Sequence, residues 1–281
     1  NGGTITVNAL EGATLMGSIG GTGTLTKDGE GVLLMGGNST YSGATFIDAG
    51  AVLIGSATGL GSTAAGTTVA DGATLAIWGN VTVAEALTVG GAGLQGVAGA
   101  LLLAQPTLSG DIVLTGDTAI VDSLNSPVTA RLTGAISGGF GLTQVSAGVL
   151  TLAGANTYTG NTTVAAGTLS VTGSLAGTAG VAVHSGATLG GTGSIGAVAT
   201  SGAVVVASGG TIAPGVAGVG TLTLNDGLRL DTGSHFAADV AGATAGVGHD
   251  QLDVHGTVQL NGGSLNLNLA GLTATAGQTY I

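Results

Sequence analysis

The densest group of chemically able side chains is His249-Asp250-Gln251-Leu252-Asp253-Val254-His255. On a strand, alternate residues share a face, so His249, Gln251, Asp253 and His255 line up while Leu252 and Val254 turn the other way. Two imidazoles and a carboxylate form a ligand set for Zn²⁺ or a similar ion. The same spacing suits the solvated outer face of an ordinary strand, with Asp250 bonding local backbone N–H groups in a turn. No metal site is assigned on this basis, and His249, Asp253 and His255 stand as the one candidate set.

Other constellations are thinner. Gly91-Ala92-Gly93-Leu94-Gln95-Gly96 and Gly191-Thr192-Gly193-Ser194-Ile195-Gly196 fit the glycine fingerprint of dinucleotide sites. Such a site needs a helix whose N-terminus faces the pyrophosphate, and neither stretch runs into a helical pattern. With 58 glycines in 281 residues, chance accounts for both matches. No G-x-S-x-G elbow is present, and nothing pairs His184, His235, His249 or His255 with a serine and an aspartate. The 14 acidic residues are mostly single and at turns, as at Glu11, Asp48, Asp71 and Asp226. Glycoside cleavage needs two carboxylates roughly 5–9.5 Å apart, usually beside aromatic platforms and basic residues. This chain has one Trp and three basic residues. Trp78, Tyr41 and Tyr158 are read as core or turn anchors. A carbohydrate-active alternative would place its site within 90–137, at Asp111 and Asp117. No catalytic residue and no cofactor are assigned, and the chain is read as a non-enzyme.

Composition narrows the partners. Lys27, Arg131 and Arg229 are the only basic residues and the net charge is -11. Nucleic acid is held by neutralising phosphates with Lys and Arg, so it is excluded as a partner, and anionic membrane surfaces are disfavoured. There is no cysteine, hence no disulfide and no thiolate chemistry. Charged residues are only 6% and aromatics 2%, against 44% hydrophobic. The core is therefore narrow, filled by Val, Leu, Ile, Ala and Thr. No apolar run approaches the length of a membrane-spanning helix. The chain starts at Asn1 without Met and stops on Gln278-Thr279-Tyr280-Ile281 in a strand-like pattern, so it is read as a piece of a larger protein.

The elements that position these residues are short strands. Runs such as Thr4-Ile5-Thr6-Val7, Thr221-Leu222-Thr223-Leu224 and Ser264-Leu265-Asn266-Leu267-Asn268-Leu269 alternate apolar and polar residues, giving one buried and one solvated face. Glycine pairs punctuate them. At most one helical turn is expected, at 83–87. A recurrent phrase ends in Gly-x-Thr/Val-Leu, and its glycines fall at 12, 31, 50 and 72, then at 148, 167, 186 and 209. A period of about 20 residues marks a solenoid whose coils stack like on like. The expected fold is all-β: a right-handed, single-stranded parallel β-helix of about 20 residues per coil. About 14 coils at the inter-strand spacing give a rod of roughly 65–70 Å. Residues 1–281 form one continuous body. The phrase is lost over about 90–137, around Pro106 and Pro127, where irregular coils or a protruding loop are expected.

A longer repeat overlies the short one. Gly23-Thr24-Leu25-Thr26-Lys27-Asp28-Gly29-Glu30-Gly31-Val32-Leu33-Leu34 runs on to Ser39-Thr40-Tyr41-Ser42-Gly43. A copy follows 117 residues later, with Gly141-Leu142-Thr143-Gln144, Gly148-Val149-Leu150-Thr151-Leu152 and Asn156-Thr157-Tyr158-Thr159-Gly160. The copy has Gln144 in place of Lys27. This pattern resembles the passenger-associated strand repeat of bacterial type V autotransporters. Leu189-Gly190-Gly191-Thr192-Gly193, Ser208-Gly209-Gly210-Thr211-Ile212-Ala213-Pro214-Gly215 and Asp250-Gln251-Leu252-Asp253-Val254 are similar to the last coils of such passengers.

The resemblance implies export through an outer-membrane β-barrel translocator in cis, following residue 281. It also implies a location at the bacterial cell surface and a folding nucleus in the coils of about 200–281. The expected role is a structural or adhesive stalk that contacts other cells, a host ligand or copies of itself through hydroxyl- and amide-rich faces, including Asn266 and Asn268. The alternative is a rod that supports a hydrolase domain encoded upstream.

Overall fold

Alternation decides what faces inward. Leu142–Gln144, Thr162–Val164, Val181–Val183 and Val204–Val206 each run buried, half-buried, buried. A strand of three to five residues cannot bury its apolar face alone, so like strands stack and share one core. The computed structural model describes residues 2–95, 99–122, 128–196, 203–215, 218–270 and 272. Asn1, Gly96, Pro127 and the strand expected at 278–281 lie outside the described residues, as do parts of 90–137 and 200–281.

The result is an all-β, parallel β-solenoid with no helix among the described residues and roughly 23 residues per turn. The helical turn expected at 83–87 is instead a corner between Thr82–Val83 and Leu87–Gly91. Three faces make up the coil. The first carries Gly3–Thr6, Leu25–Asp28, Thr45–Ile47, Thr67–Val69 and Leu87–Gly91 in parallel register. The second begins with Gly12–Leu15, Val32–Met35, Ala51–Ile54, Thr74–Trp78 and Leu101–Ala104. It continues through Ile120 of Ile112–Val121, then Leu142–Gln144 and Thr162–Val164, to Val258–Leu260. The third face gains regular strands at Thr82–Val83 and runs through nine of them to Ser264–Asn268. Three strands per turn are thus present over about nine turns, preceded by three turns whose third side is loop.

Turn length varies. Register partners lie 19–20 residues apart where the chain is most regular (Val149 to Thr168, Thr168 to Thr188) and 29–30 apart near the C-terminal end (His235 to Ser264, Leu228 to Val258). The second face therefore holds twelve levels, and the inter-strand spacing gives a rod of roughly 50–55 Å, shorter than about 14 coils would make. Described residues of 90–137 keep stacking, but with uneven steps of 19–27 residues and one register shift between Val89 and Gly91.

Glycines hold the corners between faces, Gly50 the one from first to second and Gly167 the one from second to third. Gly50 has φ +69, and a Cβ there would lie 2.3 Å from the Gly31 carbonyl oxygen. Gly167, 117 residues on, has φ +68 and the same crowding against Gly148. Left-handed backbone and a close stack together require glycine. The two long repeats do not lie in line, however. Leu25–Asp28 belongs to the first face, whereas its counterpart Leu142–Gln144 stacks on Thr118–Ile120 in the second. The interval of 117 residues covers five turns and one face.

Candidate functional site

The structure divides the His/Asp cluster. Strand Gln251–Val254 stacks on Thr221–Leu224. Asp253 and His255 meet at 3.2 Å, with side chains 47% and 50% exposed. His249 lies before the strand, is buried, and its Nδ1 sits 3.1 Å from the Gly242 carbonyl oxygen. The candidate ligands are thus a solvent-facing pair and a separate buried imidazole. Among the described residues no group of three His, Cys, Asp or Glu is placed to hold a metal. Asp250 does bond backbone N–H groups, but distant ones: Gly220 and Asp239, each at 2.8 Å. It pins the segment 240–249 back onto the coil. Burial pushes its carboxyl up from its ordinary value, against a smaller pull from those two N–H groups.

Inside the rod, polar side chains serve the corners. Lys27 is fully buried, and its ammonium donates to the carbonyl oxygens of Asp28, Gly29 and Ala49 at 3.0, 2.6 and 3.0 Å. Burial pushes the amine below its ordinary pKa, and the Asp28 charge partly offsets this. In the second copy the Gln144 amide donates at 3.2 Å to both Gly148 and Thr168 carbonyls and at 3.0 Å to the Asp122 carboxylate. Asp122 also accepts from the Ser146 hydroxyl and the Gly148 N–H. Burial raises its carboxyl, and these hydrogen bonds pull the other way. The exchange of Lys27 for Gln144 therefore keeps the donor and brings a carboxylate to share it. Alternation carried the signal for this: with Thr26 outward, Lys27 must point in.

Two buried tyrosines repeat the theme. Tyr41 hydroxyl lies 2.5 Å from Thr45 Oγ1, and Tyr158 hydroxyl 2.6 Å from Thr162 Oγ1. One turn from Thr45, Thr67 donates to Glu85 Oε1 at 3.2 Å. Glu85 is buried and its Oε2 has no partner. Burial raises the Glu85 carboxyl, and the Thr67 hydroxyl lowers it by less. The tyrosines are core anchors as expected. Trp78 is not: it points outward and is 49% exposed.

The remaining candidates are structural in place. Asp111 accepts the Ala135 N–H at 2.9 Å and Asp117 the Gly141 N–H at 2.8 Å, so each carboxylate clamps the next turn. The segment Gly191–Gly196 passes from Thr188–Gly191 directly into Ser194–Ile195, with no helix to receive a pyrophosphate. Of the basic residues, Lys27 is internal and Arg229 pairs with Asp231 at 2.9 Å. Outward positions of the first face read Thr4, Thr26, Phe46, Thr68, Thr88, Val113 and Ser137 in successive turns. This is a ladder of hydroxyls and apolar groups without a charge. Asn268, by contrast, donates to Asp239 at 2.8 Å within the rod.

These features define a parallel β-solenoid whose buried polar groups bond its own corners. The passenger-associated-transport-repeat family matches residues 25–54 and 142–171, the two copies of the long repeat. The chain thus carries this repeat twice, in keeping with an autotransporter passenger. No curated protein matches it.

Proposed function

We propose that this chain is the stalk of an autotransporter passenger. It is carried to the bacterial surface by an outer-membrane β-barrel translocator in cis, and it works by display and contact rather than catalysis. The observation that carries the reading is the paired passenger-associated-transport-repeat on a continuous solenoid. Sequential stacking suits export, because each turn can complete its core on a neighbour already formed and so fold as it emerges.

Contact between rods follows from the first outer face. One line of its outward residues carries no charge and lacks the repulsion that keeps exposed sheets apart; Thr26, Thr68 and Thr88 lie on it, and the exposed Asp28 lies two positions to the side. The test uses cells that display the full protein. An epitope inserted beside the exposed Val247 is expected to be labelled on intact cells; labelling only after lysis would overturn the export reading. Displaying cells should settle faster than undisplayed ones, and Thr26→Lys with Thr68→Lys should abolish the difference. Unaltered settling in the unsubstituted case would remove self-association and leave display.

A further inference from the structure

We propose a binding site for a neutral carbohydrate at the corner between the second and third faces, with Trp78 as platform and Asn80, Gln105 and Thr129 as polar contacts. Trp78 is the only tryptophan in the chain. Thr74–Trp78 turns Leu75 and Ile77 fully inward, so Trp78 stands on the outside. Its neighbours along the stack are small. Ala104 is its register partner in the next turn. Gly55 lies in the turn before, where an added Cβ would meet only the Trp78 carbonyl oxygen, at 3.9 Å. The half-exposed indole thus stands beside the cavity described next, without being one of its lining residues.

The polar part begins two residues later. Thr82, Thr107 and Arg131 are register partners, and Asn80, Gln105 and Thr129 sit two positions before each. Together with Val128, these three line a cavity of about 350 Å³. Among the described residues no ionised side chain lines it. Gln105 adopts φ +72, one of two non-glycine residues in left-handed backbone among the described residues. That conformation is unfavourable for an L-residue, and glycine would adopt it freely. A side chain kept at a strained position points to use of the side chain. Amides donate and accept at once, which suits neighbouring sugar hydroxyls, and an exposed indole offers its apolar face to ring C–H groups. The lining side chains carry no charge, which selects a neutral glycan, and Arg131, two positions beyond Thr129 on the same outward row, makes tetragalacturonate the control.

The site rests on the fold alone, so the purified chain can be tested without any export machinery. Trp78 reports on itself by fluorescence. Cellotetraose, maltotetraose, mannotetraose, chitotetraose and tetragalacturonate would each be titrated to about 10 mM, past the range of a weak, shallow contact. At least one neutral probe is expected to give a saturable change in emission. Asn80→Ala should weaken it about fivefold, as for the loss of one neutral hydrogen bond. Gln105→Gly should raise or preserve the melting temperature while weakening binding about as much. A purely structural Gln105 would not move stability and binding in opposite directions. No saturable response to any neutral probe would overturn the proposal, as would a response confined to tetragalacturonate. Undiminished affinity in both variants would do the same.

Discussion

Burial governs the ionisation of Glu85, Asp122 and Asp250, whose carboxyls all sit above their ordinary values. A carboxyl with a raised folded pKa binds its proton more tightly folded than unfolded. Its stabilising contribution is therefore present at low pH and is lost as pH rises through the folded value. The rod should gain stability on acidification from neutral pH toward the ordinary carboxylate range of about 4, the reverse of ordinary acid denaturation. The net charge of -11 acts in the same direction. Glu85→Gln separates the two effects. It removes the carboxylate whose Oε2 has no partner, and should stabilise the protein at pH 7 by about 1–3 kcal/mol while flattening the pH dependence. Thermal melts across this range check it; melting temperatures that fall between pH 7 and 5 would refute the sign. These residues were only partly legible in the sequence. The inward position of Lys27 follows from alternation, but the union of Asp122 with Gln144 spans 22 residues and one whole turn, and no local pattern encodes that distance.

At the scale of the element, the glycine corners vary in how closely they stack. Gly50 and Gly72 both have left-handed backbone, φ +69 and +81. A Cβ at Gly72 meets nothing within 4 Å, whereas one at Gly50 strikes the Gly31 and Gly29 carbonyl oxygens at 2.3 and 2.5 Å. Gly72→Ala should therefore cost only the backbone strain, about 1 kcal/mol. Gly50→Ala should cost about 3 kcal/mol or more, because the turns must separate. Denaturant midpoints of the two variants give the comparison, and equal losses would mean that corner stacking is not what requires glycine at Gly50. The period of these glycines makes the solenoid readable from the sequence. It could not reveal that the second long repeat begins on a different face, since the same Gly-centred phrase serves different corners, as at Gly50 and Gly167, and turn length drifts from 19 to 30 residues. Trp78 escaped for a related reason. Its outward place depends on Leu75 and Ile77 both pointing in, and the run Thr74-Leu75-Ala76-Ile77-Trp78 is too uniformly apolar to show which residues do.

For the whole molecule, stacking makes folding a matter of order along the rod. We propose that the turns of 200–281 form first and that earlier turns add to them. Leu33 and Leu224 are both fully buried, and truncation of either to Ala should cost about 2–5 kcal/mol. The kinetics should differ. Leu224→Ala should slow refolding, whereas Leu33→Ala should mainly speed unfolding. Stopped-flow refolding and unfolding rates decide, and the opposite assignment would place the nucleus at the other end.

The offset of five turns and one face between the long repeats also fixes where each copy looks. Whatever the first copy presents to its surroundings, the second presents toward a different compass bearing. A rod standing upright can then be gripped from two sides at two heights, and one neighbour does not shut out the next. Assemblies built through both copies would grow as a mesh instead of closing into pairs.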